Sequence, residues 1–232
     1  MNQYVSQGAA VIDLDVDSRS RFISRTYGHL TGAIFAFTGI EVALFKTGLA
    51  EKIATAMGGM SWLVILGAFM VVSWMASGVA HRAVSKAAQY AALGAFVFMW
   101  AIMFVPLLYM ADTYVPGAIS SAALVTFIGF AGLTATVFVT RQDFSFLGGI
   151  LRWGGVLAIV AIVCGVIFNW NMGMWFSVAM VGFAGAAILY DTSNVLHHYP
   201  EDRYVAAALE LFASVALMLW YVLRLFIFRG ND

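Results

Sequence analysis

Charge is what this chain has least of. Of its 232 residues, 12 are Lys or Arg and 12 are Asp or Glu, 10% in all, where a soluble domain carries about a quarter. That is too little to solvate a globular surface, so an ordinary soluble domain is excluded. The two signs cancel to a formal net charge of +0, and no basic field speaks for nucleic acid. A single cysteine, Cys164, excludes a disulfide framework within the chain. Prolines number three, and only Pro106 falls inside an apolar run, where it predicts a kink. No Gly-x-Ser-x-Gly, Walker or dinucleotide motif is found, and no nucleophile–base pair stands out. An enzyme is therefore not expected, nor a resident cofactor. The last apolar run has no lysine that would hold retinal. What remains is apolar: 62% of residues are hydrophobic and the mean hydropathy is +0.90. The chain reads as an all-α integral membrane protein whose first partner is the lipid bilayer.

A bilayer core of about 30 Å takes roughly 20 apolar residues as a helix. Seven runs meet that length: His29–Leu49, Trp62–Ala80, Ala87–Met110, Ala118–Val139, Gly148–Trp170, Met174–Leu196 and Tyr204–Phe228. They are continuous rather than alternating, which excludes a barrel. Short connections carry Gly58-Gly59, Pro116-Gly117, Asn169 to Gly173, and Pro200. Residues 1–27 read as a solvated cytoplasmic tail, with a short amphipathic piece near Arg19–Tyr27, since Asp13, Asp15, Asp17, Arg19, Arg21 and Arg25 leave no signal-peptide core. Residues 28–228 form the bundle and 229–232 a C-terminal tail. With the N-terminus in the cytoplasm, the inner loops hold Arg19, Arg21, Arg25, Arg82, Lys86, Arg141 and Arg203, against Lys46, Lys52 and Arg229 outside. The bias of Lys and Arg favours that orientation in a plasma (inner) membrane. Small residues four apart, Ser73/Ser77, Gly154/Ala158 and Gly182/Ala186, are signals of close helix packing.

Three carboxylates lie within the spans: Glu41, Asp191 and Glu210. A charge there costs a few kcal/mol or more, so such a residue faces the interior, pairs, or takes up a proton. Glu41 stands near the middle of the first span, either beside a polar crevice or as part of an ion path. Asp191 ends the apolar part of the sixth span, but Val195 and Leu196 continue its helix, which places Asp191 about two turns inside the end. Its neighbours Tyr190 and Thr192 offer hydroxyls as donors. Glu210 lies about two turns into the seventh span, with Ser214 on the same face. The sixth and seventh spans are antiparallel neighbours, so Asp191 comes level with Glu210 or Ser214. Two carboxylates meeting in a low dielectric share a proton or invite a cation. Such an oxygen pair suits Ca²⁺ better than a transition metal. His197-His198 lacks the spacing of a helical metal motif and reads as solvated loop.

The segments AAILYDTSNV and AALELFASVALMLWYVLRLF, with YGHLTG at Tyr27–Gly32 and VTRQDFSFLGGIL at Val139–Leu151, resemble the Bax inhibitor-1 (transmembrane Bax inhibitor motif) family. The likeness covers about Arg25 to Phe228. It implies six helices around a central seventh, and a pH-sensitive calcium leak governed by one aspartate in each of the last two helices. It also implies, from bacterial members that include a modulator of such an enzyme, a membrane-bound ATP-dependent protease as partner. Asp191 matches the first aspartate. Ser214 stands where the second would be, and Leu217 where many members have asparagine. Two readings follow: Glu210, one turn earlier, takes over part of the missing role, or Asp191 simply hydrogen-bonds to Ser214. The expected pH-sensing and cation path is Asp191, Glu210, Ser214 and Glu41, with Ca²⁺ at Asp191 and Glu210 as the transported ion. A non-conducting partner of the protease, gripped through the tail, is the alternative.

Overall fold

Apolar runs without internal water can satisfy their backbone only by closing hydrogen bonds along the helix, and every long run does so. The computed structural model describes residues 10–169 and 173–230. The helices are α1 (Val16–Lys46), α2 (Leu49–Gly58), α3 (Trp62–Arg82), α4 (Lys86–Tyr114), α5 (Ala118–Thr140), α6 (Leu147–Ile167), α7 (Gly173–His197) and α8 (Tyr204–Gly230). Two 3₁₀ turns, Val11–Asp13 and Glu201–Arg203, accompany them, and no β-strand occurs among the described residues. All the helices except α2 are long and apolar enough to cross a membrane. The protein is thus an all-α, multi-pass membrane protein with seven spans.

Its centre is α8. Half of the most apolar stretch of α8 is buried (50%), and 56% of that of α4, against 11–28% in the other five spans. The reason is in the sequence: Ala206, Ala207 and Ala208 keep the N-terminal half of α8 thin, and with Val205, Leu209 and Leu211 they are inaccessible on all sides. Spans α1, α3, α4, α5 and α7 pack directly on α8, while α6 closes the ring against α7 and α3. Close approach of α6 to α7 depends on glycine. A Cβ on Gly148 would lie 2.9 Å from the Tyr190 ring, and one on Gly154 2.9 Å from the Phe183 ring. Aromatic rings of Phe37, Phe104, Phe212 and Trp220 interlock across α1, α4 and α8 with centroids 5.1–6.1 Å apart.

Three features differ from the sequence expectation. Residues 16–27 are not solvated tail. Asp15 caps α1, accepting from the amides of Asp17 and Ser18, and the helix then buries Phe22 and Thr26 four residues apart. Ahead of it, Val11 is fully buried and its amide donates to the carbonyl of Tyr199 at 2.9 Å. Ala10 bridges Pro200, and Arg19 donates to the carbonyls of Val11 and Ile12. Residues 10–14 are a strap across the α7–α8 connection; residues 1–9 lie outside the described ones. Second, the segment after the first span is the short helix α2. Gly48, at φ 71°, makes the turn into it, and it lies on α4 and α1. Third, α4 continues to Tyr114, a turn past the expected end at Met110, with Pro106 inside it. Part of the Asn169–Gly173 connection, residues 170–172, falls outside the described residues.

Candidate functional site

At one end of the bundle the last turns of α3 and α7 meet the first turns of α8, and the helices leave a cavity of about 690 Å³ between them. Asp191 and Glu210 both line it, with His81, Tyr190, His198 and Arg203 among the other walls. The continuation of α7 past Asp191 to His197 keeps the carboxylate inside the bundle rather than at the helix end.

Asp191 has one direct hydrogen-bond partner among the described residues. The buried Ser214 hydroxyl donates to Asp191 Oδ2 at 2.5 Å, tying α8 to α7. Glu210 turns the other way. Ser77 Oγ on α3 donates to Glu210 Oε1 at 2.7 Å, and His81 Nδ1 lies 3.7 Å from the same oxygen. Neither carboxylate bonds to the other: Asp191 meets Ser214, while Glu210 shares the cavity and bonds to α3. The His81 Nδ1 also faces the Ser77 carbonyl at 2.9 Å. A carbonyl only accepts, so Nδ1 carries a proton. The Tyr199 hydroxyl, 3.3 Å from His81 Nε2, then donates to that nitrogen in the neutral ring. Burial, and after it the negative charges of Glu210 and Asp191, hold the Tyr199 phenol well above its ordinary value, keeping it a neutral donor.

The α5–α6 connection lies behind the cavity lining, against Ser193 and His198. Ser193 Oγ donates to Asp143 Oδ1 at 3.3 Å and accepts from the Phe144 amide at 2.9 Å. His198 Nε2 is 3.0 Å from Asp143 Oδ2. His198, read from the sequence as solvated loop, is thus an exposed but paired residue at the cavity rim. The Ser145 amide first, and then His198, hold the Asp143 carboxyl below its usual value.

The hydroxyls next to Asp191 do not serve it. Thr192 is fully buried and, a helical step of about 100° from Asp191, lies near the Tyr27 hydroxyl of α1, with neither hydroxyl hydrogen-bonded among the described residues. Tyr190 lines the cavity and packs on Gly148 without donating to Asp191. Glu41 stands apart from the crevice. It ends the buried stripe Phe22, Thr26, Leu30, Ala33, Phe37 on α1, is 7% exposed, and both its oxygens lack a hydrogen-bond partner among the described residues. The structure therefore joins Asp191, Ser214 and Glu210 in one place and leaves Glu41 outside it. Sequence reading missed Ser77 and His81 as partners of Glu210. Ser77 was read only as a small-residue packing partner of Ser73, and its spacing of four from His81 was the signal passed over. Among the described residues no three His, Cys, Asp or Glu side chains converge as a metal-binding group.

The family model described as "Inhibitor of apoptosis-promoting Bax1" matches residues 19–231. An uncharacterised protein of Pseudomonas aeruginosa is 33% identical over 115 residues, 49% of this chain and 51% of that protein. The Escherichia coli K12 protein named modulator of FtsH protease YccA is 30% identical over 116 residues, 50% of this chain and 51% of its own. Against both, the matched segment spans about half the relative's length. Bax inhibitor 1 of Schizosaccharomyces pombe is 25% identical over 223 residues, 92% of this chain and 79% of that protein.

Proposed function

The chain belongs to the Bax inhibitor-1 family, and from that premise we propose that it is a proton-regulated cation leak of a bacterial inner membrane, with Ca²⁺ as the ion carried and no reaction catalysed. One observation carries the reading: two carboxylates from the last two spans open on a single cavity at one end of the bundle. Buried acids are costly in lipid and tend to mark ion or proton pathways. Here they are oxygen ligands for a hard cation, and two of them suit a passing ion better than a tightly held one.

The cavity reaches only to Asp191 and Glu210, and the aromatic layer of Phe37, Phe104 and Phe212 lies in the packed core. This arrangement is a closed state. The Ser214–Asp191 bond holds α8 to α7, and separating those helices is what would extend the crevice inward. Charge at Asp191 is set among Glu210 on α8, His81 on α3, Tyr199, His198 and Arg203 in the adjoining connection, and Asp143 beyond them. Glu210 is held by Ser77, so its part is to brace α3 and attract the cation, with Asp191 as the switching group.

Proteoliposomes loaded with a Ca²⁺ dye test this. Flux through the wild-type chain should change with pH. Asp191→Asn should remove that dependence, and Glu210→Gln should lower flux while leaving its pH midpoint in place. Wild-type pH dependence in Asp191→Asn would overturn the reading.

A second reading has its own support. The strap at residues 10–14 is seated on the α7–α8 connection that walls the crevice, and one relative is named as a modulator of the FtsH protease. On this reading the segment before α1 is the handle through which a membrane-bound ATP-dependent protease engages the chain. Val11→Asp, which places a charge in a fully buried site, should release the strap. Faster hydrogen exchange at residues 10–15 with altered protease binding and unchanged flux would favour this second reading.

A further inference from the structure

A second cavity of about 690 Å³ lies between α6 and α8, walled also by α3, α4 and α7. Its two ends differ. Arg224 on α8 and Asn169 just past α6 stand at the end where α3 begins with Trp62. From there the lining is apolar and aromatic, through Trp220 and Trp100 to Ala158 midway along α6. This is the opposite end of α8 from Glu210, so the two cavities are distinct.

Arg224 is what needs explaining. It lies six residues before the end of α8, about 9 Å by helix rise. Its guanidinium rests 5.4 Å from the Phe228 ring centroid, and none of the ion pairs among the described residues includes it. A cation in a span is expected to pair or to mark a ligand path. A planar guanidinium with free donors fits a carboxylate in two parallel hydrogen bonds. The volume falls within the ordinary range for a small-molecule site, roughly 300–1,000 Å³. One cation at the mouth matches one negative charge, and one aromatic slot beneath it matches one chain.

We propose that this cavity binds a single-chain amphiphile with a carboxylate head, the long-chain fatty acid class, with its head on Arg224 and its chain in the aromatic slot toward Ala158. The stacked pair Trp62 and Trp220, centroids 6.2 Å apart, stands at the entrance and, with Trp100, gives the site an intrinsic optical reporter.

The test uses the purified full chain in detergent. Palmitate brominated on its chain should quench tryptophan fluorescence saturably. Arg224→Gln should weaken the apparent affinity about tenfold, the loss expected for a charge-assisted hydrogen-bond pair, and Arg224→Lys, which keeps the charge but not the fork, should fall between it and wild type. Brominated hexadecanol, the same chain without the charge, should not distinguish these variants. Ala158→Phe, which fills the slot, should abolish quenching by both probes while the thermal midpoint is kept. Unsaturable quenching equal in every variant would overturn the proposal. So would competition by diacyl phosphatidylglycerol but not by palmitate, which would assign the site to a bilayer phospholipid. Should Arg224→Gln fail to fold, Arg224→Lys and Ala158→Phe read with the two probes still decide it.

Discussion

At the scale of single residues, the acidic crevice depends on which donor each carboxylate has found. Asp191 was legible in the sequence as an inward acid, because its helix continues two turns beyond it. Its partner was not, because the choice between Glu210 and Ser214 rests on side-chain torsions that spacing does not fix. Glu210 is long enough to reach α3, and there Ser77 takes it. Removing the Ser214 hydroxyl leaves Asp191 with no direct donor, a loss of about 1–3 kcal/mol when no water replaces it. Ser214→Ala should therefore lower the thermal unfolding midpoint in detergent, and Ser214→Thr, which keeps the hydroxyl, should largely restore it. Asp143 adds a titration outside the spans. Its folded-state pKa is lowered, mainly by the Ser145 amide. Its contribution to stability is thus fully present above the unfolded value of about 3.9 and is lost as pH falls through the lower folded value. The midpoint difference between wild type and Asp143→Asn should be constant at neutral pH and shrink in that acid window. Solvent exposure keeps the difference small.

At the scale of elements, the seven spans could be read directly, since scarce charge leaves long apolar runs with one structural outcome. What escaped was the lesser structure. Helix α2 is ten residues, too short to span, and its register hides among the Gly and Ala of a connection. The strap escaped because its contact with Tyr199 and Pro200 joins residues almost the whole chain apart. Gly154 on α6 was visible in the small-residue spacing Gly154/Ala158, but its partner and the role of Gly148 were not: both glycines face aromatic rings of α7. This gives a paired prediction. Gly148→Ala drives a methyl within 2.9 Å of the Tyr190 ring, whereas Gly149→Ala meets nothing within 4 Å. Thermal unfolding should show Gly148→Ala destabilised by about 1–3 kcal/mol, as for other overpacked sites. Gly149→Ala should be neutral or slightly stabilised, since alanine is the better helix former. Tyr190 also lines the acidic cavity, so Gly148→Ala should shift any pH response set at Asp191, and Gly149→Ala should not.

At the scale of the molecule, charge is sorted between the two ends of the bundle. The crevice end carries Arg19, Arg21, Arg25, Arg82, Lys86, Arg141 and Arg203, interleaved with Asp13, Asp15, Asp17, Asp143, Glu201 and Asp202. The opposite end has Lys46, Lys52 and Arg229, with Glu51 and Asp112. Insertion responds to Lys and Arg and barely to acids, so the end richer in Lys and Arg is the one expected to face the cytoplasm. Acids there do not reverse orientation, yet they keep the crevice mouth from repelling a cation. The expected topology has the strap, Asp191 and Glu210 open to the cytoplasm, and the Arg224 cavity near the outer surface. Two exposed sites report it: Val84, 92% exposed between α3 and α4, and Met60, 53% exposed between α2 and α3. On a Cys164→Ser background, a membrane-impermeant maleimide should label Met60→Cys in intact cells, and Val84→Cys only after permeabilisation. The reverse pattern would put the acidic crevice outside and reverse the expected topology.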